Sequence, residues 1–172
     1  MPAMAPRRRL LALTLALPLA PWACSATPFP SVASLCGTWR NDAGEVERWA
    51  LDGPDLRGEA QFGETRERLA LVARARGRGG GHVYVAQPGD AAPTEFAPID
   101  PSASRHGGPA PASATRWSWA NYDHDFPQEI HYTLTGDRLE ATIAGPDRGG
   151  AGGRSAGWTY DRVAACNEDE PR

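Results

Sequence analysis

The chain contains no lysine; all 18 of its basic residues are arginine. That absence removes Schiff-base catalysis, serine–lysine dyads and phosphate-binding loops built on a lysine. Long apolar runs are scarce as well. The longest, Leu10 to Leu17, breaks at Pro18 and Pro21 and falls short of the roughly 20 apolar residues that a membrane-spanning helix needs. It follows Arg7-Arg8-Arg9 and precedes the small residues Ala23, Cys24, Ser25 and Ala26, an order that predicts a secretory signal peptide over 1–26. Cleavage after residue 23 would leave Cys24 as a lipid-bearing first residue, although Pro21 and Trp22 depart from the residues lipoprotein signals favour; cleavage after residue 26 would discard it. Only three cysteines occur. Whatever becomes of Cys24, Cys36 and Cys166 remain, and in an oxidising compartment they form either a disulfide joining the two ends of the domain or two separate buried thiols. Removing the three leading arginines takes the formal charge from −3 to −6, and a mildly acidic domain is a poor partner for nucleic acid, which asks for a basic face.

Helical periodicity is also missing. From residue 35 onward the pattern has period two, with turn signals between short segments, which predicts an all-β fold: a single antiparallel up-and-down barrel of about 8–10 strands. Strands are expected near Gly37 to Asn41, Val46 to Leu51, Leu56 to Phe62, Arg66 to Ala75, His82 to Gln87, Thr94 to Ile99, Thr115 to Asn121, Gln128 to Thr135, Arg138 to Ala144 and Gly157 to Ala164. Asp42-Ala43-Gly44, Asp52-Gly53-Pro54 and Thr135-Gly136-Asp137 supply turn chemistry between them. In one strand Leu139, Ala141 and Ile143 alternate with Arg138, Glu140 and Thr142, so one face meets a core and the other water. By the same parity Ile130, Tyr132 and Leu134 face inward, and Glu129 and His131 outward. Residues 101–113 and 145–155 are rich in Gly, Pro, Ser and Ala and read as mobile loops. The barrel domain is expected over 34–166, with a flexible tether at 27–33 and a disordered acidic tail at 167–172.

Leu35-Cys36-Gly37-Thr38-Trp39 opens the first strand with Gly-x-Trp and resembles the start of the lipocalin-like barrels, the calycins, which include the fatty-acid-binding proteins. The resemblance implies that Trp39 plugs one end of the barrel and that Arg162, in the last strand, stacks across it. Most of residues 35–163 also resembles a bacterial family of small proteins known only as a domain of unknown function. The matching residues are Gly37 and Trp39, His82-Val83-Tyr84-Val85-Ala86-Gln87-Pro88, Pro93-Thr94-Glu95-Phe96, and His124-Asp125-Phe126-Pro127-Gln128 followed by Ile130 and Tyr132. Trp119-Ala120-Asn121-Tyr122 departs from that family's pattern. With the signal sequence, the expected address is the bacterial cell envelope, as a periplasmic protein or an outer-membrane lipoprotein touching the membrane only through an anchor at Cys24.

The stretch WSWANYDHDFPQEIHY, residues 117–132, carries the densest set of functional side chains. Its plainest reading is a strand, a corner and the next strand, with Asp123, Asp125 and Asn121 accepting backbone N–H groups. A sharper reading makes Trp117, Trp119, Asp123, His124, Phe126, Gln128 and Tyr132 a ligand-binding set in which the corner caps a cavity. An enzymatic reading pairs His124 with Asp125 as a general acid–base, without a recognisable nucleophile motif beside it. Asp-His-Asp is only a fragment of a metal site, and nothing demands haem, for which His124 or His131 would be the axial candidates, so no cofactor is expected. His82 reads as a surface residue. Glu67 shares parity with Leu69 and Leu71: it is either solvated near the strand end or a buried carboxylate needing Arg116 or Arg138. Trp49, Phe62, Tyr84, Phe96, Trp117, Trp119, Tyr132, Trp158 and Tyr160 are expected to line the core or cavity. The reading that follows is an exported barrel that binds a small apolar or amphipathic molecule or lipid without catalysis. Its rivals are a small hydrolase or isomerase and a structural envelope module with a filled core.

Overall fold

The computed structural model describes residues 29–73, 81–147 and 153–166. The signal peptide, the Cys24 lipidation site and the acidic tail at 167–172 lie outside the described residues. Ten strands follow one another: β1 (Gly37–Arg40), β2 (Val46–Asp52), β3 (Asp55–Phe62), β4 (Thr65–Ala73), β5 (His82–Pro88), β6 (Thr94–Pro98), β7 (Thr115–Ala120), β8 (Glu129–Thr135), β9 (Arg138–Pro146) and β10 (Gly153–Ala165). Each pairs antiparallel with its sequence neighbours, and β10 returns to β1, so the sheet closes and leaves no unpaired edge. The thinnest seam is β6–β7, where only Ala97↔Ala120 and Pro98↔Trp119 are in register. The period-two pattern is the cause of this architecture: interior positions carry Trp, Tyr, Phe and Leu, while Arg48, Arg57 and Glu140 on the same strands are exposed.

One end of the barrel is sealed. Trp39 is fully buried, its indole N–H donates to the Leu35 carbonyl at 2.8 Å, and the Arg162 guanidinium lies 4.0 Å from the ring centroid. Arg162 also donates to the carbonyls of Cys36 (2.7 Å) and Ser34 (3.0 Å) and pairs with Asp137 at 3.0 Å, so one side chain ties β10 to β1 and to the chain that precedes it. Cys36 and Cys166 are joined as a disulfide, with Cα atoms 5.0 Å apart. Gly37, at φ +133°, is required here, because a Cβ would sit 2.7 Å from the Ala164 carbonyl oxygen.

The tether expected over 27–33 is corrected from residue 29 onward. Ser31 caps a 3-10 turn, Val32–Leu35, whose Val32 and Leu35 are buried, and the Pro30 carbonyl accepts from the Trp117 indole at 3.1 Å. This segment is part of the plug, because the barrel end needs apolar cover that Trp39 alone does not supply.

Residues 101–113, expected as a mobile loop, are anchored at 104–106, where Ser104, Arg105 and His106 hydrogen-bond to Glu129. Asp100 caps a short turn, Pro101–Ala103, and the chain then lies over the outer face of β8. His131 does point away from the interior, as its parity requires, but it is buried instead of solvated, and so is Glu129. Residues 145–155 are corrected in part as well: β9 runs to Pro146 and β10 begins at Gly153, paired directly with it, while 148–152 lie outside the described residues.

Candidate functional site

Ala60, Ala86 and Ala141 occupy inward positions on β3, β5 and β9 among much larger neighbours. Small side chains inside a closed ring leave volume unfilled, and a cavity of about 300 Å³ results, toward the end opposite the Trp39 seal. Tyr84, Phe96, Tyr132 and Tyr160 form its walls, with the Phe62 and Trp158 rings in tilted contact, centroids 5.4 Å apart. Tyr84 and Tyr132 meet edge to face, their ring centroids 5.9 Å apart.

The polar feature of this cavity is Glu47, a carboxyl that is 2 % exposed. β2 turns both Glu47 and Trp49 inward. The Trp49 indole lies across β3 at Gly58, where any Cβ would meet the ring at 2.7 Å, and its N–H donates to Glu47 Oε1. The Tyr132 hydroxyl donates to the same oxygen at 2.6 Å, and the Tyr84 hydroxyl lies 3.2 Å from that of Tyr132. Burial raises the Glu47 pKa to about 7; the Tyr132 and Trp49 hydrogen bonds oppose the rise, and Glu67 adds to it. Tyr84 and Tyr132 are pushed well above the ordinary phenol range, first by burial and then by Glu47. Tyr160 lines the same cavity, and its buried hydroxyl has no hydrogen-bond partner among the described residues.

Glu67 lines the cavity too, which corrects the expectation of a solvated strand end. Neither arginine suggested for it is its partner: Arg116 donates to the Gly108 carbonyl and Arg138 lies 3.9 Å from Asp161. Burial raises the Glu67 pKa. Glu47, Ala60 and Glu67 are consecutive across β2, β3 and β4, so the carboxyl-bearing backbones stand two strand spacings apart, about 10 Å.

The 121–128 corner caps the cavity through His124, Phe126 and Pro127. Its backbone is held by Asn121 and Gln128 rather than by the aspartates. Asn121 Oδ1 accepts from the Asp123 N–H at 3.2 Å, and the Gln128 amide donates to the Tyr122 and His124 carbonyls at 3.0 and 2.8 Å. His124 Nδ1 donates to the Pro127 carbonyl at 3.0 Å and its ring meets Phe96 edge-on, while Arg154 stacks on Phe126 at 3.6 Å.

Of the side chains expected to bind ligand, His124, Phe126 and Tyr132 reach the cavity. Asp123 is exposed and Gln128 serves the corner's backbone. Trp117 and Trp119 face inward at the sealed end, donating to the carbonyls of Pro30 and His82. Asp125 is exposed, and no hydrogen bond joins it to His124 among the described residues. His82 is half-buried and bonds to the Pro54 carbonyl at 2.8 Å. No group of three His, Cys, Asp or Glu side chains suited to a metal ion occurs among the described residues. Glu47 is the cavity residue that the sequence reading missed. The available signal was its parity with Trp49, since a carboxylate two residues from an inward Trp must face inward as well. No family model, no curated protein and no solved structure matches this chain.

Proposed function

We propose that the protein is an exported, lipocalin-like barrel that binds a small apolar or amphipathic molecule inside its cavity and does not act on it chemically. The observation that carries this reading is the cavity itself: about 300 Å³, walled by aromatic side chains, with one buried carboxyl. Small-molecule sites are typically concave and mostly apolar with a few convergent polar groups, from roughly 300 Å³ upward. Gly37-x-Trp39 with Arg162 stacked on the indole supports the calycin likeness. The Cys36–Cys166 disulfide supports an oxidising compartment and so the bacterial envelope, periplasmic or lipid-anchored at Cys24. An unfilled interior favours binding over a purely structural module, and the separation of Asp125 from His124 weighs against acid–base catalysis by that pair.

Native mass spectrometry of protein purified from its own envelope tests the reading. A small molecule retained by the wild type and lost from Ala141→Phe, which fills the cavity from β9, is the expected result. Wild-type protein that carries nothing, and whose tryptophan fluorescence ignores added apolar ligands, would refute it.

A further inference from the structure

We infer that the cavity's ligand is an amine with an apolar body, its ammonium group seated against Glu47 and the Tyr160 hydroxyl and its body among the aromatic walls. This deepens the binding reading and rests on it.

Four observations converge. The first is the polar inventory of the cavity: two carboxyls, Glu47 and Glu67, with Tyr84, Thr94, Tyr132 and Tyr160 and the rim imidazole of His124, whose Nδ1 is taken up by the Pro127 carbonyl. Among the described residues no arginine lines it, and the chain has no lysine, so neither carboxyl is answered by a fixed cation. The second is that both donors on Glu47 are neutral and both go to Oε1. Oε2 has no protein donor among the described residues, and an ionised carboxylate has acceptor capacity for about four hydrogen bonds.

Third, Tyr160 lines the same cavity, and its hydroxyl is buried with no hydrogen-bond partner among the described residues. A buried polar group without a partner carries a desolvation cost that a bound donor or acceptor removes. An ammonium group supplies several N–H donors at one point, enough for Oε2, for the Tyr160 oxygen and for one further acceptor. Fourth, the walls are aromatic, and ring faces attract cations and also cover an apolar chain.

The alternatives do worse on the same groups. A carboxylate ligand would meet two acids and, among the described residues, neither arginine nor lysine. An alcohol would satisfy Tyr160 but leave the Glu47 carboxyl without a cation. An amine answers both and keeps its tail in the apolar half of the cavity.

The test uses three ligands with one tail, octylamine, octanol and octanoate, titrated calorimetrically at neutral pH into the full chain with its disulfide intact. Octylamine is expected to bind at least about tenfold more tightly than either of the others, the scale of one charge-assisted hydrogen bond. Glu47→Gln should cost octylamine about tenfold and leave octanol within about twofold. Tyr160→Phe, which removes only an unpartnered hydroxyl and keeps the ring, should weaken octylamine several-fold in a protein at least as stable as wild type. Octanol or octanoate binding as tightly as octylamine, or octylamine indifferent to Tyr160→Phe and Glu47→Gln, overturns the amine assignment and leaves the cavity reading standing. If none of the three binds, both readings fall.

Discussion

Glu47 and Glu129 are both buried carboxyls on the barrel wall, and their surroundings drive them in opposite directions. Glu129 faces outward beneath residues 104–106. Burial pushes its pKa up, but the Ser104 hydroxyl, the backbone N–H groups of Arg105 and His106 and the Tyr122 hydroxyl outweigh it and hold the value at about 2. His131, its own pKa lowered first by burial and then by Arg116, is neutral and donates Nε2–H to Glu129 at 3.1 Å while Nδ1 accepts from Ser118. Glu47 has two neutral donors and no cation, and burial wins. The sign of each pH effect follows. Glu129 releases its proton more readily folded than unfolded, so its stabilisation is complete above the ordinary carboxylate value of 4.5 and is lost as pH falls toward 2. Glu47 holds its proton more tightly when folded, so stability declines as pH rises from 4.5 to about 7 and is flat above. At 1.36 kcal/mol per unit the decline is about 3 kcal/mol. The groups facing Glu47 are Tyr132, Tyr84, Tyr160 and Glu67, and the phenols do not titrate in that window. Chemical denaturation of Glu47→Gln should therefore show the wild type's loss between pH 4.5 and 7 removed or sharply reduced, with Glu67 still lowering stability as pH rises and His131, its pKa lowered by burial, raising it. An unchanged slope would place the cause elsewhere.

At the scale of elements, all ten strands were legible from period two, because alternation along a strand records which side chains meet the interior. The two segments misread as flexible were misread for one reason. Composition scores side chains, whereas residues 104–106 contribute mainly backbone N–H groups and one hydroxyl to Glu129, and residues 30–35 contribute carbonyls and two apolar contacts to the plug. Parity did show that Glu129 faces outward, but nothing local says that an outward carboxylate will be covered by a loop 23 to 25 residues earlier in the chain. The candidate site divides the same way. Tyr132 and the capping role of the 124–127 corner were readable, whereas Glu47 was passed over because its strand carries charges on both faces. The loop's dependence on Glu129 is testable. Glu129→Ala removes the acceptor for those N–H groups, so trypsin should cut after Arg105 many-fold faster, while binding in the cavity, on the other side of the wall, is unchanged. Cleavage at the wild-type rate would mean that the loop is held by something other than Glu129.

For the whole molecule, the decisive contact is the one that turns a sheet into a ring. β1 is four residues long and meets β10 with a register shift between Thr38 and Trp39, so the closing seam is short. Arg162, through Trp39, Cys36, Ser34 and Asp137, and the disulfide reinforce it at the same end. The cross-link spans a sequence separation of 130 residues. In the chain-entropy model, closing so long a loop removes unfolded-state freedom worth about 4–5 kcal/mol, a large share of the roughly 5–15 kcal/mol by which a domain is stable. The paired Cys36→Ser, Cys166→Ser variant should then unfold at markedly lower denaturant, by an amount equivalent to about 4–5 kcal/mol, yet retain native circular dichroism in water. The seal and the cavity sit at opposite ends of the barrel, and the bond acts chiefly on the unfolded chain. Ligand affinity, measured with octylamine under conditions where the variant is folded, should therefore match wild type. A variant that stays folded but binds more weakly would show that the seam also shapes the cavity; one that loses no stability would show that Arg162 and the plug close the ring without the covalent link.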